Sequence, residues 1–308
     1  MKKFILSMLA VAALVSCSNE EALEVNKGEA IAFGDAFVDN ATRAATDPSL
    51  GTTANPLTAF NVWGTVKGTG DLVAIFANDN VTGTVGAGST WTCTSKTQYW
   101  ITGAKYNFAA LVNAGTVTLG TDLLPATVAF TSNGSTDLLY AKSIEYTGKA
   151  SGNSKVAFTF EHLLSKVYLK VTNNSATASN YSFLVKNIKV NAPKTGTYTI
   201  ASETWSATAG DYAFDDIAVA GGAASAECAA EQLLIPGAAT ISFDVDILVN
   251  DTLNSTPKLV STTPYTYSTT LAAANAYSFN IQVSVGEPIQ FTVEKDPTWT
   301  EKDDVTIN

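Results

Sequence analysis

The sequence predicts an all-β protein built as two antiparallel β-sandwich domains in tandem. Apolar and polar residues alternate with a period of two in several segments, most clearly at Ile241, Phe243, Val245, Ile247 and Val249; this is the pattern of a strand with one buried face. Turn-forming clusters recur at short intervals, among them Gly68-Thr69-Gly70-Asp71, Asn78-Asp79-Asn80, Asn133-Gly134, Gly152-Asn153, Asn173-Asn174 and Gly221-Gly222. Charged residues make up only 15% of the chain, while Thr, Ser, Val, Ile, Phe and Tyr are frequent, which suits pleated surfaces whose exposed faces carry hydroxyls.

At the N-terminus, Lys2 and Lys3 precede an apolar run from Phe4 to Val15. The run is too short to span a bilayer, so residues 1–16 read as a secretory signal. It ends in Leu14-Val15-Ser16-Cys17, which resembles a bacterial lipobox and makes the Cys17 thiol the lipid acceptor and the first mature residue. Ser18-Asn19-Glu20-Glu21 resembles the acidic export tag that follows the lipid cysteine in lipoproteins of the Bacteroidota. Losing the signal leaves 292 residues and takes the net charge from −10 to −12. That length fits two domains of about 100–150 residues.

Glu29 to Phe37 reads as the first strand and Thr46-Asp47-Pro48 as an exposed loop, with Arg43 between them where a protease can reach. Residues 44–150 form the first sandwich. Val156, Phe158 and Phe160 occupy even positions, but Leu163, Val167, Leu169 and Val171 occupy odd ones. A strand changes its buried face only through a bulge or a corner. This break at His162, with the linker-like Gly148–Ser154 just before it, sets the second sandwich at residues 151–286. Within it, Ala223 to Leu234 has enough Ala and Glu to read as a short helix. Tyr277, Phe279, Ile281, Val283 and Val285 form its last strand, and Gly286-Glu287-Pro288 interrupts the pattern, since Pro cannot donate to a ladder. Alternation restarts at Ile289, Phe291 and Val293 in the tail 287–308. That tail reads as a donor strand for an open sheet edge, or alternatively as the last strand of its own sandwich.

Little catalytic chemistry is on offer. His162 is the only histidine and lies between Phe160 and Leu163 in an apolar segment, where a packed, hydrogen-bonded imidazole is expected rather than a general base. The carboxylate pairs Asp215-Asp216 and Asp303-Asp304 read as loop or tail charges, and Asp244 and Asp246 as the solvent face of a strand. Neither these nor Asp251 has the spacing of a calcium loop. Cys93 and Cys228 read as buried free thiols, and no Cys/His spacing of a metal site occurs. Basic residues are scattered singly, which argues against nucleic acid as a partner. No enzyme activity and no cofactor are expected.

Several motifs together resemble the fimbrillin family, the type V pilus subunits of Bacteroides and Porphyromonas. Ile31-Ala32-Phe33 with Ala41-Thr42-Arg43-Ala44 is similar to the family's first strand and arginine processing site. Phe60-Asn61-Val62-Trp63-Gly64, Ala74-Ile75-Phe76, Thr90-Trp91, Tyr99-Trp100 and Tyr106-Asn107-Phe108-Ala109-Ala110 resemble its following strands. Asp137-Leu138-Leu139-Tyr140-Ala141 and Phe160-Glu161-His162-Leu163-Leu164-Ser165-Lys166-Val167 are the most specific matches. The resemblance implies two transthyretin-like sandwiches and outer-membrane anchoring through Cys17. It also implies removal of residues 17–43 by a cut between Arg43 and Ala44, and polymerisation with other pilin subunits into a surface fimbria that supports adhesion to host proteins or glycans. A rival reading is a monomeric surface lipoprotein that binds glycans through Trp91, Trp100 or Trp205.

Overall fold

The computed structural model describes residues 25–38, 56–83, 91–175, 180–249, 258–286 and 288–296. In chain order the strands are β1 (Val25–Ala30), β2 (Phe33–Val38), β3 (Ala59–Lys67), β4 (Val73–Thr82), β5 (Thr92–Cys93), β6 (Tyr99–Ile101), β7 (Lys105–Val112), β8 (Val117–Leu119), β9 (Pro125–Thr131), β10 (Leu139–Thr147) and β11 (Val156–His162). They continue with β12 (Ser165–Asn173), β13 (Tyr181–Thr199), β14 (Thr204–Ala213), β15 (Ile217–Val219), β16 (Ser225–Glu227), β17 (Gln232–Leu234), β18 (Gly237–Val249), β19 (Lys258–Leu271), β20 (Ala276–Val283) and β21 (Gln290–Asp296). No α-helix occurs among the described residues.

The first large sheet runs β2-β11-β10-β7-β3-β4-β5, and its central strands are buried on both faces. Its central strand β7 shows why. Phe108 and Ala110 turn into an aromatic core with Phe60, Phe76, Trp100, Phe158 and Phe160, while Ala109 and Leu111 turn the other way, into a second core with Trp63, Tyr140, Leu163 and Leu233. With both faces covered, the run Phe108–Val112 is continuously apolar rather than alternating.

The second half stacks a five-stranded sheet, β16-β12-β20-β21 with β17 also on β12, against a sheet in the order β19-β18-β13-β9-β8 to which β14 and β15 add. Val167, Leu169, Phe183, Val185, Phe243, Val245, Phe279 and Ile281 fill the space between them. The hairpin β8–β9 comes from the first half of the chain. It nevertheless pairs with the far end of β13, Thr195↔Thr131 to Thr199↔Thr127, and so ties the two halves together.

The phase slip lies where the chain changes sheets. β11 pairs with β10 and β2 in the first sheet, and β12 pairs with β20 and β17 in another. Gly148–Ser154 connects β10 to β11 inside the first sheet. Two local expectations are corrected. Ala223–Leu234 is not a helix, because β16 and β17 each pair with β12, and ladder bonds with Leu234 buried outweigh the weak helical preference of Ala and Glu. Asn78-Asp79-Asn80 is not a turn between strands. It is an irregularity within β4, where Asn78 takes φ 65° and the register against β3 shifts between Val62 and Trp63.

Candidate functional site

The N-terminal segment closes the first sheet. β1 runs antiparallel to β6, with Ala30 opposite Tyr99; the Ile31 N–H then donates to the Gln98 carbonyl at 2.7 Å. On its other side β2 runs parallel to β11, Phe33 opposite Val156 and Phe37 opposite Thr159. The Val156 N–H donates to the Ala32 carbonyl at 2.8 Å. This is the one parallel pairing in a sheet whose other described pairings are antiparallel.

Phe33 is 2% exposed, and its ring lies 5.4 Å from that of Phe76 and 6.2 Å from those of Phe60 and Phe158. Ile31 and Ala36 are buried beside it, whereas Phe37 is 54% exposed on the opposite face. At the segment's start, Glu29 accepts two hydrogen bonds from Asn153, from the backbone N–H at 2.6 Å and from Nδ2 at 2.9 Å. Gly34 lets β2 lie close on β11, since a Cβ there would come within 2.9 Å of Lys155 Cβ. On the β6 side, the buried Tyr106 hydroxyl accepts from the Ile101 N–H at 2.6 Å, and burial keeps the phenol protonated by pushing its pKa up. Cys17, Arg43 and Ala44 lie outside the described residues.

At the other end of the chain, β21 runs antiparallel to β20 from Ala276↔Asp296 to Gln282↔Gln290 and forms an edge of the five-stranded sheet among the described strands. Ile289, Phe291 and Val293 are brought to one face, half-buried against the second sandwich. The Phe291 ring is 4.3 Å from Tyr267, 5.7 Å from Phe279 and 6.3 Å from Phe243. In this conformation the candidate donor residues rest on their own sheet.

The two most specific motifs adjoin. Leu139 pairs with His162, and His162 Nδ1 lies 2.7 Å from Asp137 Oδ2 with both side chains buried. Nearby, Lys166 is 2% exposed with its Nζ 3.6 Å from Glu231 Oε2, and Ser165 Oγ donates to the Ala272 carbonyl at 2.8 Å. These contacts fasten the passage between sheets. The Asp137–His162 pair escaped the sequence reading, although a lone histidine in an apolar segment is itself a signal that a buried polar partner must exist.

Other candidate groups are occupied structurally. Asp246 is buried rather than solvent-facing, accepting from Lys186 Nζ at 2.5 Å and Thr262 Oγ1 at 2.7 Å, and Asp244 accepts from Asn187 Nδ2 at 2.7 Å. Cys93 and Cys228 are free thiols, half-buried rather than fully buried. Trp91 and Trp100 are not surface platforms: each is 2% exposed within the first core. Trp205 is half-buried, tilted on Tyr198 with its Nε1 donating to the Leu163 carbonyl.

These features define a class: an all-β protein in which the N-terminal strand completes one core and the C-terminal strand borders the other. Among curated proteins none matches the sequence. The chain belongs to the fimbrillin-like family, whose model matches residues 42–297. Solved structures share the fold. A fimbrial protein from Bacteroides vulgatus aligns at TM-score 0.59 and 15% identity, covering 87% of this chain and 99% of that one. Candidate cell adhesion proteins from Bacteroides ovatus and Bacteroides uniformis both align at TM-score 0.51, with 18% and 14% identity, 92% and 90% of this chain covered, and 100% of each of theirs.

Proposed function

We propose that the protein is a structural subunit of a cell-surface fimbria, exported as a lipoprotein, assembled by donor-strand exchange and supporting adhesion. Cys17 takes the lipid and holds the precursor at the outer membrane. A protease cuts between Arg43 and Ala44, β1 and β2 leave, and the C-terminal strand of a neighbouring subunit takes their place with Ile289, Phe291 and Val293.

The observation that carries this reading is the position of Phe33, a core residue on a strand that lies upstream of Arg43. One cut therefore separates a piece of hydrophobic core from the rest of the chain. Arg43 is also the one arginine in the sequence, the other 17 basic residues being lysines, so an arginine-specific protease has a single target. Departure of the segment uncovers Phe60, Phe76 and Phe158. Each apolar residue that an incoming strand buries there returns about 1.5–3 kcal/mol before the costs of association. Membership of the fimbrillin-like family supports assembly with other pilin subunits, and the described roles of the structural relatives support adhesion, with host proteins or glycans met at the filament surface.

Electron microscopy of cells tests the proposal. Wild-type cells carry filaments whose subunit begins at Ala44. Arg43→Ala leaves the protein untrimmed and outside the filaments, and truncation before Glu287 gives a folded subunit that is trimmed but not polymerised. Normal filaments built from either variant overturn the proposal.

A further inference from the structure

The five-stranded sheet holds one parallel pairing among its described strands, and that pairing lies between the point where the chain enters the sheet and the point where it leaves. β12 and β20 run in the same direction through eight residue pairs, Lys166↔Ala276 to Asn173↔Val283. β16 and β17 join β12, and β21 joins β20, antiparallel.

The chain enters β12 from the first sheet through Leu163 and Leu164, buried in the core that Trp63, Leu111, Tyr198 and Leu233 share. The start of β20 lies at this same end. The Ala274 N–H donates to the Leu164 carbonyl at 2.9 Å, the Lys166 N–H to the Asn275 carbonyl at 3.0 Å, and Ser165 Oγ to the Ala272 carbonyl at 2.8 Å. The end of β20, from which the chain goes on to Gly286 and the tail, lies at the other. There the Asn174 N–H donates to the Val283 carbonyl at 2.8 Å, and the Val285 N–H to Ser175 Oγ at 3.0 Å.

Direction decides how such a pair meets tension. A pull at the start of β12 and at the end of β20 acts on opposite ends of the ladder, so the strands must slide past each other and the evenly spaced bonds are loaded together. Antiparallel strands joined to the chain at the same two termini would be pulled at one end and would open bond by bond. Sliding also meets resistance from side chains. Thr172 Oγ1 donates to Asn280 Oδ1 at 2.8 Å and Asn174 Nδ2 to Gln282 Oε1 at 3.1 Å. Val167, Leu169 and Val171 share one core with Tyr277, Phe279, Ile281 and Val283, and a slip of one residue sets the inward side chains of one strand beside outward ones of the other.

We propose that the β12–β20 pair is the element through which the protein bears tension along its length, a mechanical function in addition to assembly. The direction of the pull rests on the fimbria reading above, in which a subunit is held by its first sheet at one end and by the segment after β20 at the other. β21 is not part of this element. It pairs antiparallel with β20, Asp296 beside Ala276, so a pull on its far end peels it away pair by pair and passes the load to β20.

Optical tweezers on the untrimmed protein test this. Handles are attached through pairs of introduced cysteines in a background with Cys17, Cys93 and Cys228 changed to Ser; Cys228→Ser keeps an acceptor for the Leu169 N–H. One handle is at Lys155→Cys, before β11. The other is at Val285→Cys, after β20, or at Ala273→Cys, in the turn before it; all three positions are exposed. The first geometry shears the β12–β20 pair and the second opens it from one end, while the fold under load is the same. At equal loading rate the rupture force from Val285 is expected to be several-fold higher, because forced unfolding reports the barrier along the pulled direction rather than the equilibrium stability. With the second handle at Lys295→Cys, a short low-force step frees β21 before the same high-force rupture. Equal forces from the Val285 and Ala273 positions overturn the inference and leave strand exchange standing. Absence of the protein from filaments in the microscopy above overturns the fimbria reading, and with it the source of the tension, even where the difference in force persists.

Discussion

Replacing Phe33 by Ala measures how much the N-terminal segment contributes to the untrimmed fold. The side chain is 2% exposed and touches three aromatic rings, and truncating a buried Phe to Ala costs about 3–5 kcal/mol through lost transfer energy and the cavity left behind. The cavity cannot collapse freely, because β2 is held on one side by β11 and on the other by the bridge from Phe33 to Trp91. Against a total stability of about 5–15 kcal/mol this is a large fraction. With m about 2–3 kcal/mol/M, the urea midpoint of the untrimmed protein falls by about 1–2 M. Tryptophan fluorescence follows the transition, since Trp91 stands beside the site. Phe37→Ala on the same strand, 54% exposed, shifts stability by no more than about 0.5 kcal/mol. The same midpoint for Phe33→Ala and Phe37→Ala would falsify the claim that the segment is part of the core. Protein that begins at Ala44, the product of the proposed cut, is one molecule for the two variants and the wild type, so their differences must vanish there.

Two further outcomes follow from ionisable groups. Burial alone would raise the Asp79 carboxyl, but hydrogen bonds from Lys96, Ser95 and the Ala77 N–H, with the Lys96 charge, outweigh it and hold the group below the usual carboxylate range. Its folded pKa lies below its unfolded one, so its stabilisation is present above about pH 4 and fades as pH falls through the folded value. The gap in melting temperature between wild type and Asp79→Asn therefore narrows on acidification below about pH 4; a constant gap down to pH 2 contradicts this. For Cys228, burial is the main cause that pushes the thiol up to about 11, with the charges of Glu231 and Glu227 adding to it and the bond from the Leu169 N–H opposing it. Iodoacetamide at pH 8 should leave Cys228 unlabelled in the native protein and label it on unfolding, as peptide mass mapping would read; equal labelling in both states refutes the burial argument.

Much of the architecture is legible in the chain because strand burial writes itself at a period of two. Ile241 to Val249 became β18, Tyr277 to Val283 became β20, and the change of phase at His162 marks the passage between sheets. Legibility fails where long-range pairing decides. Ala223–Leu234 has no strong preference of its own, and only the neighbouring β12 makes strands of Ser225–Glu227 and Gln232–Leu234. Trp91 and Trp100 carry no mark of depth in the sequence, and it is packing against Phe60 for the first and against Tyr106, Phe108 and Tyr146 for the second that accompanies their burial. Asp137 and His162 stand 25 positions apart, and their contact exists because β10 and β11 are neighbours.

The sequence by itself determined the β-rich class, the single arginine and the alternation of Ile289, Phe291 and Val293, since each is a property of residue order. Tertiary structure alone decided that Phe33 is a core residue among Phe60, Phe76 and Phe158 and that Glu29 holds Asn153, because burial and hydrogen bonding are imposed by strands that stand far along the chain, which no local pattern encodes.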